Sequence, residues 1–182
     1  MTVFQRLRRL LPRRPTKAVR IVTDSTADLT PELVEEFHIT VVPLQVIFGE
    51  ESFRDGIDLT SEEFFQRLSQ SHDLPRTSQP SVGDFQAAYE RLAEQTDKIL
   101  SIHLSSGFSG TVEAARQGAA LLGEGCRVEI IDTGVVSMAM GLAVLAAARA
   151  ARDGADLETC ADAAGRCWSA SAWPSRSTRW ST

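Results

Sequence analysis

Three stretches of this sequence gather hydroxyl side chains beside small residues or helix starts: Asp24-Ser25-Thr26, Thr77-Ser78-Gln79-Pro80-Ser81, and Ser105-Ser106-Gly107-Phe108-Ser109-Gly110-Thr111. A serine or threonine that donates to a carboxylate makes a charge-assisted bond, stronger than a neutral one, without proton chemistry of its own. The last two stretches run straight into helical patterns, where unpaired backbone N–H groups and the helix dipole also favour an anion. Binding of an anion is therefore the chemistry these residues suit. Ser and Thr at helix starts also serve as ordinary N-caps, and Ser81 reads as a cap alone. The segment from Ser101 to Thr111, with Ser101, Ser105, Ser106, Ser109, Thr111 and two glycines, holds more hydroxyls than one helix start needs.

Nucleophilic catalysis is the competing reading. Gly107-Phe108-Ser109-Gly110-Thr111 approaches the G-x-S-x-G elbow but misses it by one place, because Thr111 occupies the final glycine position. Of three histidines, His38 closes a helical pattern, His72 sits in a polar linker, and only His103 lies near the loop. His103 falls within a strand pattern, which points to core packing or a backbone partner. A serine hydrolase or acyl transferase using Ser109 or Ser106, with His103, stays open as the alternative. No P-loop or Rossmann glycine pattern and no metal-ligand spacing occurs.

The elements that must position these loops follow from periodicity. Val19 to Thr23 is a β-branched run that ends at Asp24. Thr30 and Pro31 open a helix with Leu33, Val34 and Phe37 on one face. Ile39 to Phe48 is β-rich, with Pro43 marking an edge position or a break, and Gly49 to Leu59 reads as a charged turn or hairpin. Thr60 and Glu63 form a capping box before a helix whose Phe64, Phe65 and Leu68 are expected to face inward. Helices then follow over Val82 to Gln95, Thr111 to Leu122 and Met138 to Arg152, with strands at Lys98 to Leu104 and Arg127 to Ile131. Strands alternating with helices predict an α/β fold, a mostly parallel sheet with helices on both faces. In such sheets ligands bind beyond the carboxyl ends of the strands, where all three hydroxyl stretches fall.

The chain has 182 residues, 43% hydrophobic and 24% charged, which fits one water-soluble globular domain. Residues 1–20 hold seven bases and no acid, leaving 12 bases against 24 acids for residues 21–182. That acidic body argues against nucleic acid as a partner. Residues 1–18 read as a disordered basic leader; Val3, Phe4, Leu7, Leu10 and Leu11 recur at helical spacing, so residues 3–14 suit weak contact with a membrane surface. No run is long enough to cross a bilayer. Three cysteines without a C-x-x-C pair favour neither a disulfide framework nor zinc, and a reducing cytoplasm is expected. Trp168, Trp173 and Trp180 all fall in an acid-free tail, residues 166–182, that differs in composition from the rest.

Taken in order, Val22-Thr23-Asp24-Ser25-Thr26-Ala27-Asp28-Leu29, the Thr77-Ser78-Gln79-Pro80-Ser81 loop, Leu104-Ser105-Ser106-Gly107-Phe108-Ser109-Gly110-Thr111 and Ile131-Asp132-Thr133 resemble the DegV family over residues 19–165. The resemblance implies a non-catalytic, cytoplasmic bacterial protein that binds a long-chain fatty acid such as palmitate, needs no cofactor and presents the acid to a fatty-acid kinase. It implies Thr77 and Ser109 as carboxylate donors, with Ser78, Ser106, Gly110 and Ser25 as further binding-loop candidates. Family members continue into a second domain, so this chain is expected to represent the first α/β domain alone. The tail is expected to be out of frame: with suitable codons, Ser177 to Thr182 read from the third base gives Asp-Thr-Leu-Glu-Tyr, similar to the family's own continuation. An inactive truncated gene product is the further alternative.

Overall fold

A computed structural model describes residues 18–71, 73–167 and 180–181. The expectations for the basic leader and its membrane contact fall on residues 1–17, and most of the tail on 168–179, outside the described residues. Strand β1 (Arg20–Asp24) passes into a 3-10 turn (Ser25–Ala27) and helix α1 (Pro31–Glu36). β2 (Thr40–Val42), β3 (Gln45–Phe48) and β4 (Glu51–Arg54) follow, then α2 (Ser61–Gln70) and β5 (Arg76–Ser78). The remainder is α3 (Val82–Ala93), β6 (Lys98–His103), α4 (Thr111–Ala120), β7 (Arg127–Asp132), α5 (Ser137–Arg152), α6 (Leu157–Gly165) and β8 (Trp180–Ser181).

The main sheet has the order β2-β1-β6-β7-β8, parallel except for β8, which pairs antiparallel with β7. Alternation along the strands divides the core in two. Ile21, Leu100, Ile102 and Ile131 meet Met140, Val144 and Ala148 of α5 and Leu157 and Ala161 of α6 on one face. On the other, Val22, Ile99, Val128 and Ile130 meet Phe85 and Tyr89 of α3 and Val112 and Ala115 of α4. The predicted α/β architecture with both faces covered is what the chain adopts.

A second, antiparallel sheet, β4-β3-β5, was not foreseen beyond its hairpin. The chain leaves the main sheet at Pro43, where a ring without an N–H ends the β2 ladder, and resumes as β3 in the small sheet. The expected break is thus a transfer between sheets. Arg54 and Asp58 clamp the turn after β4 through two side-chain bonds of 2.8 Å and a backbone bond, which hold the Asp58 carboxyl down at about 2. Thr60 and Glu63 form the predicted capping box. The inward stripe on α2 is corrected in part. Phe64 packs against Phe48 and is half-buried with Leu68, four residues on, while Phe65, one step round the helix, is exposed.

Candidate functional site

The strand order reverses between β1 and β6: the connection from β1 runs to β2 on one side, and β6 lies on the other. The crevice at their carboxyl ends is where an open α/β sheet places its ligands. Asp24, the last residue of β1, is buried and receives four bonds. Its Oδ1 accepts from the backbone N–H of Thr26 at 3.1 Å and from Thr26 Oγ1 at 2.5 Å. Its Oδ2 accepts from the Leu104 N–H at 3.2 Å and meets His103 Nδ1 at 2.9 Å. Burial by itself pushes the Asp24 carboxyl up. Hydrogen bonds from His103, Thr26 and the Leu104 N–H outweigh it and leave the group below the usual carboxylate range.

His103 is in the core, as its strand pattern implied, but its partners are side chains rather than backbone. Nε2 lies 2.7 Å from Ser101 Oγ, which lies 2.8 Å from the Tyr89 hydroxyl, and Phe85 stands edge-on to the imidazole at 5.0 Å. Sequence reasoning missed this Asp24-His103-Ser101-Tyr89 cluster. The signal was present: Ser101 and His103 share a strand face by period two, and the β1–β6 register carries Asp24 beside His103. An Asp-His-Ser order resembles a hydrolytic triad, yet Ser101 is fully enclosed. With both ring nitrogens engaged by Ser101 and Asp24, His103 is not placed to activate Ser106 or Ser109.

The loop after β6 folds on its own hydroxyls. Ser105 Oγ accepts from the Gly107 N–H at 3.1 Å, and Ser109 Oγ accepts from the Thr111 N–H at 3.3 Å while sharing a 2.8 Å bond with Thr111 Oγ1. Asp132, at the end of β7, accepts from the Ser106 and Gly134 N–H groups through one oxygen. It is a second structural carboxylate that sequence reasoning passed over. Ser106 and Phe108 are exposed, Ser109 and Gly110 are half-buried, and among the described residues α4 starts at Gly110 without a side-chain cap.

Thr77 and Ser78 were expected in a loop and instead stand in β5, paired with Val46 and Gln45 of β3, their side chains exposed. A three-residue strand on a small sheet leaves too short a pattern to read. The following Gln79 lays its side-chain amide against Gly110, where any Cβ would collide with it. Absence of a side chain at Gly110 therefore lets the Thr77–Ser81 and Ser105–Thr111 stretches touch. Ser81 is the predicted cap of α3, in a capping box with Asp84. Ser25 lies apart from this contact. Its Oγ accepts from the Leu44 N–H at 3.1 Å, and it lines a cleft of about 470 Å³ with Leu29, Val34, Val41, Pro43 and Ile57, which neither Thr77 nor Ser109 lines. No group of three or more metal-ligating side chains occurs among the described residues. None of their helices is long and apolar enough to cross a membrane.

The fold and the geometry define an α/β domain with hydroxyl-bearing loops gathered near a topological switch point. Residues 18–167 match the family model described as "Uncharacterised protein, DegV family", and the chain belongs to the DegV family. It is 44% identical over 140 residues to the DegV domain-containing protein YejH of Lactococcus lactis, covering 77% of this chain and 49% of that one. Among solved structures it resembles DegV, a fatty acid binding protein from Bacillus subtilis, with a TM-score of 0.77 and 33% identity over 83% of this chain and 54% of the other. A stearic acid-binding protein from Eubacterium ventriosum gives a TM-score of 0.74 and 31% identity, over 79% of this chain and 51% of the other. The chain spans about half the length of the relatives it matches.

Proposed function

We propose that this chain binds a long-chain fatty acid and holds its carboxylate with the hydroxyls of Thr77 and Ser109. Ser78 and Ser106 flank the head group, and Gly110 admits the close approach. Ser25, drawn into the neighbouring cleft, is a more distant contributor. The observation that carries the reading is the Gln79–Gly110 contact, which joins two hydroxyl-bearing stretches at a helix start whose N-cap, Gly110, brings no side chain of its own. Two of the relatives described above are fatty-acid-binding proteins by name, which supports the ligand class. The chain acts without catalysis or cofactor, as a cytoplasmic carrier that hands the acid to a fatty-acid kinase. Residues 19–165 form the binding domain.

Titration of labelled palmitate against the wild type, Thr77→Ala and Ser109→Ala tests the assignment. A hydrogen bond to a charged group contributes about 1.5–3 kcal/mol, so each variant is expected to weaken binding by about tenfold or more. Unchanged affinity in both variants removes these residues from the site. Time-dependent labelling of Ser106 or Ser109 by a reactive phosphonate would instead support an acyl-transfer enzyme. Absence of saturable binding by monodisperse wild-type protein would support an inactive product. The handover is tested separately, by acyl phosphate formation when palmitate-loaded protein meets a fatty-acid kinase and ATP.

A further inference from the structure

We infer that Asp24 and His103 are positioning residues, through which a one-way hydrogen-bond chain in the core locks together the loops on either side of the switch point. The direction of the chain follows from counting protons. Two backbone N–H groups and the Thr26 hydroxyl point at Asp24, so the carboxylate accepts throughout and His103 Nδ1 must donate to it. In the neutral ring Nε2 then accepts from Ser101 Oγ, and Ser101 in turn accepts from the Tyr89 hydroxyl. Each group thereby uses one proton and none is wasted. Reversing the chain would leave the enclosed Tyr89 O–H without the acceptor it has here, at the cost of an unsatisfied buried donor.

The consequence lies at the ends of the strands. Asp24 Oδ1 shapes the turn after β1, and Oδ2 fixes Leu104, the residue that leads into Ser105–Thr111. One carboxylate is thus common to both loops, and α3 sets its orientation from the core through Tyr89, Ser101 and His103. Asp132 repeats the device one strand further on, where it ties Ser106 to Gly134. The loop that carries Ser106 and Ser109 is therefore held at the Leu104 N–H by the buried Asp24 and at the Ser106 N–H by the half-buried Asp132. The step from loop geometry to ligand affinity rests on the fatty-acid reading; the wiring itself does not.

The test combines two readouts. Nitrogen-15 NMR of the histidine rings should show His103 as a single neutral tautomer, protonated on Nδ1 and bare on Nε2; a ring protonated on Nε2 overturns the wiring. Amide hydrogen exchange should then quicken tenfold or more in Asp24→Asn at Thr26 and across residues 104–110 together, with α6 unchanged. Acceleration at Thr26 alone would show that the loops are independent. Should Asp24→Asn fail to fold, Thr26→Val is expected to loosen the same two loops and Thr26→Ser to restore them, because only the serine keeps the hydroxyl bond to Asp24. Palmitate affinity should fall about fivefold or more in Asp24→Asn and Thr26→Val. If wild-type protein shows the tautomer and the exchange pattern but binds no palmitate, the ligand reading fails and the positioning role stands. If it binds palmitate and the variants alter neither loop exchange nor affinity, the positioning role fails alone.

Discussion

Asp24 is the residue on which most of the site's order converges, and its ionisation sets a pH dependence. Its folded carboxyl lies below the usual 3.8. A lowered group contributes stability that is fully present above its unfolded value and is lost as pH falls through the folded one. Urea midpoints measured from neutral pH down to about pH 3 should therefore decline. The decline should be shallower in Asp24→Asn, which starts less stable because an amide cannot accept all four bonds. A parallel decline in the two proteins would show that other carboxylates set the acid limb. Reading this residue from sequence alone was partly possible. Asp24 stood in a stretch singled out for its hydroxyls, but its importance comes from Leu104 and His103, about eighty positions away, and pairing register is not written in a local pattern.

Helices and strands were the most legible layer, because their signals are local. The caps at Thr30, Thr60 and Ser81 each depend on residues within a turn or two. β5 was illegible because Arg76, Thr77 and Ser78 become a strand only by pairing with β3. The close approaches between elements make a contrasting pair of predictions. Gly141 of α5 lies against the carbonyl oxygen of Ala27, where a Cβ would meet backbone that cannot swing aside. Gly141→Ala should lower unfolding stability by about 1–3 kcal/mol in urea titrations. At Gly110 the obstructing group is the mobile end of Gln79, so Gly110→Ala should leave the urea midpoint nearly unchanged and weaken palmitate binding. A stability loss at Gly110 as large as at Gly141 would contradict the packing described.

Across the molecule, apolar side chains remain at the surface near the carboxyl edge of the sheet. Phe108 is 76% exposed, and Val136, Met138 and Leu142, at the start of α5, are 39%, 44% and 55% exposed. The Ser105 N–H bonds the Val135 carbonyl at 2.9 Å, which brings the Phe108 loop beside that helix start. Exposed apolar side chains on neighbouring elements draw partners or copies together. Sedimentation should show concentration-dependent association, and Met138→Lys combined with Leu142→Lys should suppress it. Equal association by the double variant would place the contact elsewhere.

The order of the main sheet also bears on how fast the chain reaches it. β1 must pair with β6, so Asp24 and His103 meet across 79 positions, and the whole excursion through β3, β4, α2 and β5 lies between them. Closing so long a loop costs entropy before any contact rewards it, and non-local pairing slows folding. Helices α5 and α6, neighbours in sequence and space, can dock early. The crevice at the β1–β6 seam exists only after that long-range pairing, so refolding followed by palmitate binding should lag behind the recovery of helical signal.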